Sequence, residues 1–171
     1  GLEGGTTLFL VDRSAEGLTI GKPAETMGLR GALTSAIRLS NCTVGGEALL
    51  GDAAGAGHGQ MAAILEEIKL AVATLGIGIG VACMDESTRH AKAKKAFGKP
   101  IGLFEGVGAK LATMFTFNDI GRMMTCRAAW AMEQKDPEGP VLASCAKLFT
   151  SEAAGMIADL AMQVHGGHGY L

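Results

Sequence analysis

The chain has 171 residues, 48% hydrophobic and only 19% charged, a composition that supports a packed core and excludes a disordered chain. A formal net charge of −2 leaves no basic footprint for nucleic acid. The four cysteines, Cys42, Cys83, Cys126 and Cys145, lie far apart without C-x-x-C spacing, which argues against zinc knuckles and redox pairs and for buried free thiols in a reducing compartment.

No signal peptide is visible, and Gly1, in place of methionine, reads as a cut or processed end. Three β-favouring runs come first: TTLFLV (6–11), LTIGKP (18–23) and AIRLSNCTV (36–44), parted by turn chemistry such as RSAEG. Three strands cannot hide both sheet faces, so partners are expected earlier in a longer parent chain. The glycine-rich lead-in GDAAGAGHG (51–59) then opens a helix with apolar positions Met61, Ile64, Leu65, Ile68, Val72, Leu75 and Ile79, running to about Lys94. Its uncharged stretch Leu70–Met84 is too short and glycine-rich for a membrane span, so a buried core helix is expected and membrane insertion is not.

FGKPIG (97–102) breaks the first helix. A second helix is expected from about Phe104 to Gln134, and KDPEGP (135–140) ends it. A third is expected over about Val141–Val164, with the stripe Leu142, Cys145, Phe149, Ala153, Met156, Leu160 and Val164. The predicted fold is mainly α: a short antiparallel β segment, then three long helices of an antiparallel bundle. Three helices leave an apolar seam for a fourth helix or a partner chain. No internal repeat of fixed period is present.

Several groups could carry chemistry. Gly76, Gly78 and Gly80 inside the first helix each cost about 1 kcal/mol against alanine, a cost that close helix packing offsets. Glu66 and Lys69, three apart, share a helix face as a solvated edge or as the mouth of a polar-headed ligand site. In HAKAKKAFGKP (90–100), Lys94, Lys95 and Lys99 suit a helix C-terminus or an anionic diphosphate, with Phe97 as an apolar surface. QVHGGHGYL (163–171) sets His165 and His168 three apart, but no second cluster completes a metal shell and the glycines disfavour a helix. A glycine loop whose backbone N–H groups approach a ligand is the better reading, and no metal site is assigned. There is no G-x-S-x-G elbow or Ser/His/Asp context.

Four phrases occur in an order that resembles the acyl-CoA dehydrogenase family over essentially the whole chain. ETMGLRG (25–31) is similar to its K-x-G-x-R-G, and KKAFGKPI (94–101) to its R-x-x-F-G-x-P-I. AKLFTSEAA (146–154) is similar to A-K-L-x-x-S-E-A, and QVHGGHGY (163–170) to Q-x-x-G-G-x-G-Y. The resemblance implies that residues 1–50 form the C-terminal part of a middle β-domain. Residues 51–171 would form a C-terminal four-helix bundle domain lacking its last helix. It implies FAD as cofactor and dehydrogenation of an acyl-CoA thioester between Cα and Cβ. A carboxylate removes the α-proton while the β-hydrogen leaves as hydride to the flavin. Electrons pass to an electron-transfer flavoprotein, and the protein is a homo-oligomer, dimer or tetramer, with FAD spanning two subunits. The compartment would be the bacterial cytoplasm or the mitochondrial matrix.

Carried over residue by residue, the family arginine at the FAD diphosphate falls on Lys94, Phe97 matches, and a family glutamine falls on Glu105. Gln163, Gly166 and Gly167 match the loop against FAD, and the acyl-CoA-facing D-x-x-R falls on Glu66 and Lys69. No catalytic residue is assigned. The usual glutamate is expected beyond Leu171, which makes the isolated chain inactive. The family variant with glutamate directly before the D-x-x-R arginine has Ile68 there, and Glu67 is rotated about 100° away. Two alternatives stand beside this reading. One is an acyl-CoA oxidase or another flavoenzyme of the same fold, such as a flavin-dependent monooxygenase. The other is a non-catalytic helical assembly module that has lost flavin, favoured by Lys94, Glu105 and Gly108.

Overall fold

The computed structural model describes residues 5–51 and 53–171. Gly1, read above as a processed end, and Asp52 of the glycine-rich lead-in lie outside them. The chain divides into two compact units, Gly1–Ala62 and Ala63–Leu171, with the division falling inside the first long helix.

In the first unit, β1 (Leu18–Pro23) pairs antiparallel with β2 (Ser35–Leu39) in the register Leu18↔Leu39, Thr19↔Arg38 and Ile20↔Ile37. The register slips before Pro23↔Ser35, where proline has no N–H to give the ladder. Two expected strands are shorter than their β propensity suggested. TTLFLV makes one isolated bridge, Phe9↔Leu49, and no strand, because its ladder partners are limited to the short stretch 48–50. AIRLSNCTV is extended only through Leu39, because Asn41 takes a left-handed φ of 49° and turns the chain.

The helices follow the expected order. They are α1 (Gly57–Ala93), α2 (Glu105–Glu133) and α3 (Gly139–His165), with a last single turn, α4 (Gly167–Tyr170). α1 starts inside the glycine-rich lead-in, where the Gly57 N–H donates to the Thr6 carbonyl at 2.7 Å and Gln60 Nε2 to the Leu50 carbonyl at 2.7 Å. Between α1 and α2 the two-residue strands β3 (Lys95–Ala96) and β4 (Lys99–Pro100) form a tight hairpin. Its turn places Phe97 at φ 49° and Gly98 at φ 81°. Pro140, with φ preset for a helix, opens α3.

The core is built from small side chains. Ala73 of α1 meets Ala128 of α2 and Ala143 and Ala146 of α3, flanked by Leu70, Met124 and Leu142. A second cluster joins Met114, Ala153, Ile157 and Ala161, with Phe117 and Phe149 edge to face at 6.2 Å beside it. This corrects the apolar stripe expected on α1. Met61, Ile64, Leu65, Ile68, Val72, Leu75 and Ile79 point outward, between 37% and 48% exposed. The packed face is Ala73, Gly80, Ser87 and Ala91, with Gly76 half-buried between them. α1 is apolar on both faces, so periodicity could not choose between them; close approach of the backbones selects the face of small residues. On α3 the buried row is Ala143, Ala146, Thr150, Ala153, Ile157, Ala161 and Val164, so only Ala153 and Val164 of the expected stripe lie in it. Buried Thr125 and Thr150 donate to the Gly121 and Ala146 carbonyls of their own helices. Cys126 and Cys145, expected buried, are exposed. On length and composition alone, α1 and α3 would pass as membrane-crossing helices.

The mid-helix glycines of α1, Gly76, Gly78 and Gly80, have different neighbours. A Cβ on Gly76 would meet the Thr150 carbonyl oxygen at 2.9 Å, and one on Gly80 would meet Ile157 Cδ1 at 3.0 Å and Asn118 Oδ1 at the same side. At Gly78 nothing lies within 4 Å. Gly76→Ala should therefore destabilise the bundle by about 1–3 kcal/mol, because backbone must move. Gly78→Ala should stabilise it by up to about 1 kcal/mol through helix propensity. Urea denaturation of both variants checks the pair; equal effects would contradict the packing.

Candidate functional site

At the C-terminal end of α1 the chain turns sharply and gathers positive charge. The Lys94 N–H donates to the His90 carbonyl at 2.8 Å and the Ile101 N–H to the Lys94 carbonyl at 2.9 Å, which ties the hairpin to the helix end. Phe97 is 96% exposed in a left-handed conformation that costs a bulky residue energy. Behind it, Phe104 meets Phe97 edge to face at 6.2 Å and lies under Lys99 Nζ at 4.5 Å. Among the described residues, Lys94, Lys95 and Lys99 form no ion pair. Glu105 is exposed as the first residue of α2, where the helix dipole favours negative charge. That position gives its carboxylate a structural reason despite the lysines' proposed anion.

The end of α3 comes to the same place. Gly166 leaves the helix at φ 58°, ψ −134°, a conformation that excludes most side chains, and donates its N–H to the Met162 carbonyl at 3.0 Å. The expected open loop is instead one helical turn, α4, closed by Gly169 N–H to the Gly166 carbonyl at 2.9 Å. Around Gly166 and Gly167 nothing lies within 4 Å of a built Cβ, so their backbone is open to a close approach. Gln163 is exposed one turn before them.

A histidine cluster joins these two ends. The His90 ring of α1 lies 4.5 Å from His165 of α3 and 6.0 Å from His168 of α4, centroid to centroid. His165 Nδ1 is 2.9 Å from the Ala161 carbonyl, so Nδ1 carries the proton. Burial, then His165, His168 and Lys94, hold the His90 pKa below the usual imidazole value against the opposing pull of Glu86. Glu86 in turn is engaged by Arg89, whose hydrogen bond lowers the carboxyl pKa. Nothing in the sequence announced that His90 meets the other two, since the contact spans two helices. Among the described residues no group of three or more His, Cys, Asp or Glu is arranged to hold a metal ion.

Glu66 and Lys69 lie near the other end of α1. Lys69 Nζ contacts Glu66 Oε1 at 2.8 Å and Ser144 Oγ of α3 at 2.9 Å, with both charged side chains half-buried. The pair shares one helix face, as its spacing predicts. Ser144 was not among the candidates: it is 75 residues away in sequence, and no motif marks it. At 1.5 Å per residue, about 30 Å of α1 separates Lys69 from His90.

The geometry thus defines a helical domain with two polar regions on one long helix, one cationic with open glycine backbone, the other a half-buried ion pair. The chain belongs to the acyl-CoA dehydrogenase family: residues 55–171 match the family model "Acyl-CoA dehydrogenase, C-terminal domain". It is 38% identical over 163 residues to a probable acyl-CoA dehydrogenase of Bacillus subtilis, covering 95% of this chain and 42% of the relative. It is 37% identical over 172 residues to the 3-(aryl)acrylate reductase of Clostridium sporogenes, covering 98% of this chain and 44% of that one. The butyryl-CoA dehydrogenase structure from Megasphaera elsdenii superposes with a TM-score of 0.90 at 29% identity, over 96% of this chain and 43% of that one. The chain therefore spans about two fifths of the length of these relatives.

The lowered His90 pKa has a definite sign. The folded state prefers the neutral ring, so this stabilisation is complete above the ordinary imidazole pKa of about 6.5 and is lost as pH falls through the folded value. The melting temperature should fall on acidification from pH 7.5 to 5, and His90→Gln should make that fall shallower. Thermal scans across this range check it; an identical pH profile in the variant would contradict it.

Proposed function

We propose that the full protein is an FAD-dependent acyl-CoA dehydrogenase. In this reading Lys94, Phe97, Glu105, Gln163, Gly166 and Gly167 face the cofactor, and Glu66 and Lys69 face the acyl-CoA. The observation that carries it is the chemistry of the two ends of α1. Unpaired lysines, an exposed aromatic ring and an open glycine backbone fit a group with a diphosphate and flat rings. Lys94 offers a point charge where arginine would offer a two-point contact. The Gly166 and Gly167 backbone lets the cofactor approach without a Cβ in the way. When bound, FAD supplies the acceptor for the hydride.

The separation of the ends has a consequence for assembly. A hydride moves only between atoms about 3–3.5 Å apart. A cofactor portion held at His90–Lys94 is roughly 30 Å from a thioester held at Lys69 of the same helix. In this reading each chain serves one cofactor with its cationic end and another with its ion-pair end, as a homo-oligomer. Glu66 is engaged by Lys69, and Glu67 is exposed one helical step of about 100° away, so neither is assigned as the base. An electron-transfer flavoprotein is the proposed acceptor. The same residues serve the reverse reaction, the direction named for the reductase relative, and the electron partner then decides the direction.

The purified full-length protein should carry flavin absorbance. Lys94→Ala should lower FAD affinity about tenfold, or roughly 1.4 kcal/mol, and Lys94→Arg should match or exceed the natural lysine. Equilibrium titration with FAD measures both. A colourless protein that FAD does not reconstitute would favour the assembly-module reading instead.

A further inference from the structure

An ammonium group has three protons to donate and no lone pair, whereas a serine hydroxyl has one proton and two lone pairs. Ser144 Oγ donates its proton to the Pro140 carbonyl one turn back on α3, at 2.9 Å. Its lone pairs then turn outward, and Lys69 Nζ lies on them at 2.9 Å. Glu66 Oε1 takes a second ammonium proton at 2.8 Å. The four-carbon lysine stem, which otherwise keeps about 2 kcal/mol of rotamer entropy, is fixed from two directions by two helices, and one proton remains uncommitted.

We propose that Ser144 is a positioning residue: with the Pro140 carbonyl behind it, it aims the Lys69 ammonium, so that the remaining proton points at the acyl-CoA. This rests on the reading that Lys69 faces the substrate. Ser144 touches no reacting atom in this scheme. Its removal loosens substrate binding and leaves the chemical step alone. The position lies on α3, whereas the ion pair lies wholly on α1, so it also couples the substrate end to the packing of the two helices.

In the full-length protein, Ser144→Ala should raise the KM for acyl-CoA about fivefold, with kcat and flavin content unchanged. Ser144→Thr should restore KM, because a helical threonine hydroxyl can make the same bond one turn back. The decisive arm is a double-mutant cycle in an E66Q/K69M background, a neutral pair that leaves no buried carboxylate alone. There Ser144→Ala should change nothing further. An unchanged KM in the single variant, or the same increase in both backgrounds, would overturn the proposal. If E66Q/K69M itself leaves KM unaltered, the assignment of Lys69 to substrate fails and this inference falls with it, an outcome distinct from the other two.

Discussion

Where α1 meets α3, a Cβ on Gly76 would overlap the backbone carbonyl of Thr150. The fully buried residues of the neighbouring cluster, Ala73, Ala128, Ala143 and Ala146, carry nothing larger than a methyl group. Backbones this close favour the observed setting of α1, because turning Val72, Leu75 or Ile79 inward would push a larger side chain into the gap. That setting carries the candidate site with it. Glu66, Lys69, Ala73, Gly76, Gly80, Ser87 and Ala91 follow one another at intervals of three, four or seven residues, one face of one helix, with Lys94 just past its end. The small residues hold the middle of this face, and the charged residues lie where it runs out at each end.

The proposed chemistry depends on that arrangement. Lys69 meets Ser144 because the face that buries Ala73 also faces α3 one turn earlier. His90 meets His165 because Ala91 and Ser87 are buried on the same side at the other end. A one-residue rotation of α1, about 100°, would break both meetings at once. The groups proposed to face substrate and cofactor are thus set by one packing choice and held about 30 Å apart by a run of helix.

Much of this was legible in the sequence, and the failures have a common cause. The helix limits came within a few residues because Pro100, Pro140 and the flanking glycines are local punctuation. The Glu66–Lys69 pair was legible because both partners lie on one helix. The buried face of α1 was not, since Ile64, Leu65, Ile68, Val72 and Leu75 make as good a periodic stripe as the small residues do. Size, not hydrophobicity, made the choice, and size matters only once a neighbour's backbone is in place. On α3 the buried row runs through Ala143 and Ala146 rather than the expected Cys145 for the same reason. Ser144, and His90 as the partner of His165, depend on contacts between helices that no spacing rule reports. The run 6–11 kept its β propensity but found a partner at only one bridge.

The central claim is that the two polar ends of α1 serve the oxidation of an acyl-CoA by bound flavin. The most direct measurement is anaerobic addition of a panel of acyl-CoA thioesters to the purified full-length protein while its flavin absorbance is followed. At least one thioester should bleach the flavin in proportion to the sites filled, and the E66Q/K69M variant should need markedly more of it to reach the same bleaching. A protein that holds flavin yet is bleached by no acyl-CoA, or a variant titrating identically to the natural chain, would contradict the account.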